Sequence, residues 1–338
     1  MSLTGLKNIY LYIRMKDDEI KKLRKCEKRR EHRKKCRGPQ PFNPKILDTI
    51  FPKKVIYMDA QIDWGNPLAS LMKAIDDGYN VINLAFYLDT GPFNMVDVWR
   101  QLSKTQKETT IKYAHDRNAV ILVSAGGATT PGSLYQTSPE EFATEVCDFA
   151  NANLLDGVDY DLEHIEVGFM YGPVKIIDWL NKLNDTSREI LGDDKLITHA
   201  PQAPYFGAIG STSSWAGASG GYSGVYQHNK TIDWFNIQFY NQDTSSYDTY
   251  ATLFTQSNGY ASGTSVSQIA SYGIPLEKLI VGKPLTPEYV FNSGYVTPSN
   301  LHNYFNQAKN NIGWNAGLMF WQWNTGPEPK NAIDIIYP

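Results

Sequence analysis

Residues 154–166 read LLDGVDYDLEHIE, in which four carboxylates, Asp156, Asp159, Asp161 and Glu163, fall within eight positions. Val158, Tyr160 and Leu162 alternate with them, and a period of two marks a β-strand, whose successive side chains point to opposite faces. Asp159, Asp161 and Glu163 therefore share one face. That face cannot be ordinary core, because an unpaired buried carboxylate costs several kcal/mol. A water-facing sheet would dilute its like charges with Lys, Arg or Thr. Acids crowded within a few ångströms force at least one to keep its proton near neutral pH, which is what a general acid needs. The alternative is a solvated acidic edge strand, and the bulky or β-branched set on the opposite face weighs against it by matching a strand covered by helices.

The acidic strand is one beat of a repeated rhythm. Strands are predicted at Val55 to Tyr57, Val81 to Tyr87, Ala119 to Ser124, the acidic stretch, Leu196 to Ala200, Trp234 to Tyr240, Lys278 to Val281 and Gly317 to Trp321. Helical stretches fall near Pro67 to Asp77, Val96 to Arg117, Pro139 onward, Pro173 to Leu191, Ser265 to Tyr272 and Pro298 to Asn311, the third opened by a capping box of Ser138 and Glu141. Eight such units read as an α/β fold, a (β/α)8 TIM barrel, whose sites form at the C-terminal ends of the strands. The acids sit at such an end. The 338 residues, 42% hydrophobic, suffice for one core of that size. No run of 18 apolar residues implies a membrane span. Tyr205 to Lys230, rich in Gly and Ser, is long for idle filler, and its Trp215, Tyr222 and Tyr226 are expected to border a groove. Trp99, Trp179 and Trp234 read as core, and His115, His228 and His302, lacking spacing partners, as surface or capping residues.

Charge divides the chain. Residues 1–40 hold 14 Lys or Arg against 5 Asp or Glu, a charge of +9, while the remainder carries −12. Lys16 to Arg37 consists of good helix formers with little apolar face to bury. Residues 1–45 are therefore expected to be a basic N-terminal arm and Pro-rich linker, with Gly38, Pro39, Pro41 and Pro44 as breakers, ahead of a barrel over 50–338. Its sharper reading is contact with an anionic partner, nucleic acid or an anionic membrane surface. Cys26, Cys36 and Cys147 are too few for a disulfide framework and lack partners at zinc-site spacing, so no metal site is expected.

Asp156 to Glu163, with Gly157 in place and His164 following, fits the DGxDxDxE signature of glycoside hydrolase family 18, the chitinase family. The chain most resembles the small single-barrel class III chitinases of the hevamine type. Ser124 to Gly127, SAGG, matches the SxGG motif. Asn83 in VINLAF matches VNIAF; Ala200 to Pro204, APQAP, with Gln202, matches APQCP, Ala203 replacing a disulfide cysteine. Phe235 to Asn241, FNIQFYN, is similar to the VQFYN segment and points Asn236, Gln238 and Tyr240 to one side. Gly317 to Trp321, GLMFW, matches GVMLW, whose Trp floors the site. In the first strand the group's YWGQ becomes YMDAQ, one residue longer between Tyr57 and Gln61.

The resemblance, over residues 53–325, implies a barrel without the small α+β insertion domain of larger chitinases and so an open groove. It implies a retaining endo-chitinase that cleaves β-1,4 bonds between N-acetylglucosamine units by substrate-assisted catalysis. Glu163 would be general acid and base, Asp161 would orient the substrate's acetamido group, Asp159 would share a proton with Asp161, and Tyr240 would hold the acetamido oxygen. Asn83, Gln202, Gln238, Asn241, Trp321, Tyr57 and Gln61 would bind sugar. Chitin or its oligosaccharides would be the partner, with no cofactor or metal, and the chain a monomer. An endo-β-N-acetylglucosaminidase acting on N-glycans shares the signature. A chitinase-like lectin or inhibitor would be expected to have lost the acid. The substrate suggests an extracellular protein, although Ile9 to Ile13 is too short and too late for a clear signal peptide. Deleting residues 1–40 is expected to leave hydrolysis of chitin oligomers nearly unchanged, and loss of soluble protein on truncation would show that the arm packs.

Overall fold

The computed structural model describes residues 42–165, 173–210, 216, 219–243 and 247–338. The basic run, Cys26, Cys36 and Trp215 lie outside the described residues. Eight strands pair in chain order, each parallel to the next: β1 (Lys53–Met58), β2 (Val81–Leu88), β3 (Val120–Gly126), β4 (Gly157–Asp161), β5 (Leu196–His199), β6 (Trp234–Gln238), β7 (Leu279–Pro284) and β8 (Gly317–Trp321). Strand β8 pairs back to β1, so the sheet closes into a barrel. Closure removes the exposed edges that an open sheet leaves. Beyond the expected eight, a two-residue strand, Gly91–Pro92, folds antiparallel onto the end of β2.

Helices cover the barrel: α1 (Pro67–Asp76), α2 (Asn94–Gln101), α3 (Lys104–His115), α4 (Pro139–Ala152), α5 (Pro173–Leu191), α6 (Tyr222–His228), α7 (Val266–Ser271), α8 (Pro298–Ile312) and α9 (Glu328–Ile336). The single stretch expected over 96–117 is two helices. Leu102 is extended, and Ser103 opens α3 with a reciprocal capping box, accepting the Gln106 N–H while Gln106 accepts from the Ser103 N–H. Hydrogen bonds satisfied locally at Ser103 outweigh continuation of a helix with few apolar residues. The box expected at Ser138 is half made: the Ser138 oxygen accepts the Glu141 N–H at 3.2 Å, and its hydroxyl turns to Glu140.

Strand β4 shows how the alternation is used. Tyr160 points outward, where its hydroxyl meets Ser187 of α5 at 2.6 Å and Cys147 of α4 lies at 3.7 Å. Asp159 and Asp161 point inward. Asp156 stands apart, just ahead of the strand, where it accepts from the Ile121 N–H and pairs with His115 at 2.8 Å. It fastens the foot of β4 to β3. Tyr222 and Tyr226, expected to border a groove, instead pack on Phe235, on the outward face of β6, because α6 lays them against it. Trp99, Trp179 and Trp234 are buried and donate their indole N–H groups to Asn153, Thr137 and Asn236.

The SAGG turn shows why glycine is required at the end of β3. Gly126 has φ 113°, and a Cβ there would lie 2.1 Å from the Asp161 carbonyl oxygen. The next residue, Gly127, donates its N–H to that same oxygen at 2.7 Å. Gly126→Ala is expected to destabilise the fold by about 2 kcal/mol or more, read as a lower urea midpoint at unchanged m-value; an unshifted midpoint would show that the strand end yields.

Candidate active site

Asp159 lies at the centre of the barrel, fully buried. Four strands send it a donor. Tyr57 of β1 and Ser124 of β3 donate hydroxyls to Oδ2, each at 2.7 Å, while Thr198 of β5 and Asn236 of β6 donate to Oδ1 at 2.6 and 3.1 Å. Burial pushes its pKa up, and all four hydrogen bonds oppose that rise by favouring the anion. Asn83 of β2 lies beside the Tyr57 hydroxyl without a hydrogen bond of normal geometry.

One pleat further along β4, Asp161 is also buried, with a different environment. Burial first, then the charges of Glu163 and Asp159, raise its pKa well above the ordinary value, against one hydrogen bond from Gln238. The Gln238 amide donates to Asp161 Oδ1 at 2.8 Å and the Ala200 carbonyl at 3.0 Å, and reaches Glu163 Oε1 at 3.4 Å. It therefore spans the two acids. With Asp159 held by four donors and Asp161 by one, the surroundings favour the anion more at Asp159 and the protonated form more at Asp161.

Above them opens a cavity of about 250 Å³, lined on one bank by Gln202, Tyr240 and Asn241 and on the other by Asp59, Phe86, Phe93 and Asn94. Asp161, Glu163, Gln238 and Trp321 form its centre. Trp321 stacks on Phe86, with ring centroids 5.7 Å apart, and tilts against Tyr57 at 6.0 Å, making an apolar floor. Burial and the charges of Asp161 and Glu163 push the Tyr240 hydroxyl pKa well up, so it remains a donor. Behind this bank, buried Lys283 donates to the carbonyls of Phe239, Tyr247 and Gly294 at 2.8, 2.7 and 3.1 Å. Burial brings its amine down to about 7, whereas three acceptors match the three protons of the charged form. Asn241 ties the same bank to its neighbour: its Oδ1 accepts the Phe291 N–H at 2.8 Å, and its own N–H donates to Ser293.

The structure thus gathers Asp161, Glu163, Gln202, Gln238, Tyr240, Asn241 and Trp321 around one cavity. Asp159, Tyr57 and Asn83 lie beneath it, buried. Gln61 is exposed and does not line it. Sequence reasoning missed Asp59, Phe86, Phe93, Asn94 and Lys283. For Asp59 a signal existed, since it lies in YMDAQ, where the first strand departs from the group it resembles. Among the described residues no group of three or more His, Cys, Asp or Glu is arranged to hold a metal ion.

The family model described as Glycosyl hydrolases family 18 matches residues 53–328, and the chain belongs to that family. No curated protein matches the sequence. Among solved structures, a GH18 chitinase from Pseudoalteromonas aurantia is similar with TM-score 0.64 and 23% identity, covering 84% of this chain and 98% of that one. A family GH18 chitinase from Chromobacterium violaceum matches with TM-score 0.56 and 17% identity over 88% and 87% of the two chains. A xylanase and α-amylase inhibitor protein from Scadoxus multiflorus matches with TM-score 0.51 and 19% identity over 83% and 97%. At these identities the likeness concerns the fold, which chitinases and an inhibitor share.

A carboxyl whose folded pKa is raised binds its proton more tightly folded than unfolded, so its contribution to stability falls as pH climbs above the ordinary value of 3.8. Asparagine mimics the protonated form and avoids that loss. Asp161→Asn is expected to gain stability over the natural chain on going from about pH 4 to about pH 7, measured by urea midpoints; a constant gap would show that Asp161 titrates normally.

Proposed function

We propose that this member of the family is a retaining endo-chitinase, which cleaves β-1,4 bonds between N-acetylglucosamine units with help from the substrate's own acetamido group. The observation that carries the reading is the graded set of acids. Four donors favour the anion of Asp159, the raised pKa of Asp161 favours its acid form, and Glu163 stands at the cavity with the Gln238 amide spanning the last two. A nucleophilic carboxylate should be ionised and reachable. Asp159 is sealed beneath the cavity, and the environment of Asp161 favours its protonated form, so neither suits direct attack.

The acetamido oxygen fills that role. Glu163 gives its proton to the glycosidic oxygen as the bond to the anomeric carbon breaks, and the acetamido carbonyl oxygen bonds to that carbon, forming an oxazolinium ring. Asp161 accepts the acetamido N–H and faces the developing positive charge, moving its proton toward Asp159. Tyr240 donates its hydroxyl to the acetamido oxygen, and Trp321 lies under the reacting sugar. Glu163, now a carboxylate, takes a proton from the water that reopens the ring from the opposite face, giving net retention. Gln202 and Asn241 bind along the bank.

An inhibitor of similar fold supplies a second reading, a sugar-binding protein without activity. The presence of Glu163 in the cavity favours the enzyme. Glu163→Gln is expected to lower kcat on N-acetylglucosamine oligomers at least about 100-fold while leaving the fold intact, and NMR of fresh product from the natural chain should show the β anomer. Turnover above a few per cent in the variant would remove Glu163 from the acid role. An inactive natural chain that still binds the oligomers would establish the second reading, and release of high-mannose glycans in preference to chitin cleavage would move the enzyme to N-glycans.

A further inference from the structure

We propose that the groove takes partially deacetylated chitin, and that Asp59 binds the ammonium group of a glucosamine unit next to the reacting sugar. The inference rests on the hydrolase reading above and deepens it. Asp59 directly follows β1 and lines the same cavity as Asp161, Glu163 and Trp321. Its carboxylate is held in place. Asn94, in the left-handed region at φ 43°, donates its Nδ2–H to Asp59 Oδ1 at 2.7 Å, and the Ala60 N–H also bonds the carboxylate. Asn94 is positioned in turn by the Gly91–Pro92 strand, after which the Phe93 N–H donates to the Phe86 carbonyl at 2.9 Å.

Among the described residues no Lys, Arg or His forms an ion pair with Asp59. Other acids of this chain do find cations: Asp76 pairs with Arg117, Asp77 with Lys73, Asp97 with Arg100 and Asp233 with Arg188. Phe86, Leu88 and Phe93 beside it make that bank apolar, and burial pushes its pKa up. A half-buried carboxylate without a counter-ion is costly, and the cost is relieved when a cation arrives in the same low-dielectric pocket. A neutral sugar hydroxyl needs no such group, since Asn94 alone could bond it.

The chemistry of the polymer limits where the cation can sit. The reacting sugar must keep its acetamido group, because that group closes the oxazolinium ring. The free amine, protonated below neutral pH, therefore belongs to a neighbouring unit of the chain. Asp59 then sets which acetylation pattern is cleaved fastest, without touching the reacting atoms.

The test uses defined N-acetylglucosamine oligomers carrying one glucosamine at each position in turn, with cleavage sites mapped by mass spectrometry. At one position flanking the cleaved bond, the natural chain should show a kcat/KM at least equal to that for the fully acetylated oligomer. Asp59→Asn should lower the ratio of the two kcat/KM values about ten-fold or more, since it removes a charge-assisted hydrogen bond. Added salt should lower the same ratio in the natural chain. A ratio unmoved by Asp59→Asn, or by salt, overturns the proposal, as does an equal fall on both substrates, which would make Asp59 a hydroxyl acceptor. If the natural chain cleaves no acetylated oligomer, the hydrolase reading fails separately. Calorimetry with the same oligomers then decides on Asp59, whose proposal stands only if Asp59→Asn selectively weakens binding of the glucosamine-containing one.

Discussion

A carboxylate cannot remain in the middle of a barrel without donors, and Asp159 draws its donors from four different strands. Tyr57, Ser124, Thr198 and Asn236 are separated by as many as 179 positions in sequence and meet at two oxygen atoms. The interior layer at that height is therefore polar by necessity. Removing any one donor leaves the others to bear an under-satisfied charge, which makes the cluster cooperative. Because strand geometry places Asp161 one pleat beyond Asp159, the cluster also fixes where the next acid stands.

From that height upward the environment changes by degrees. Asp159 has four donors, Asp161 has one from Gln238 together with two acidic neighbours, and Glu163 reaches the open cavity. Two carboxyls of one strand and a third just beyond its end thus stand in three environments, ordered by their distance from water. No external charge is needed to produce this ordering. The β-pleat and the depth of the barrel are sufficient.

The alternation in 157–163 made the acidic strand and its inward face legible, and the strand rhythm made the closed barrel legible, because both depend on short-range periodicity. Gln238 and Tyr240 were legible in the alternation of FNIQFYN, whereas Trp321 was legible only through the resemblance of GLMFW to GVMLW. Tyr57 was expected to face sugar, yet its hydroxyl turns to Asp159, a partner 102 positions away that no local pattern encodes. The 96–117 stretch was legible as helical but not as two helices, because a few hydrogen bonds at Ser103 decide the break. Lys283 was invisible for a further reason: its partners are backbone carbonyls, which every residue carries.

The two banks of the cavity are built with unequal stiffness. On the Tyr240 bank, Lys283 gathers carbonyls from three separate segments onto one nitrogen, and Asn241 laces the strand end to 291–293. Any insertion there must preserve several bonds at once. On the opposite bank, the side-chain link between Asp59 and Asn94 is a single hydrogen bond between surface segments. Residues of the second bank can accordingly change one at a time while the groups nearest the acids stay in register.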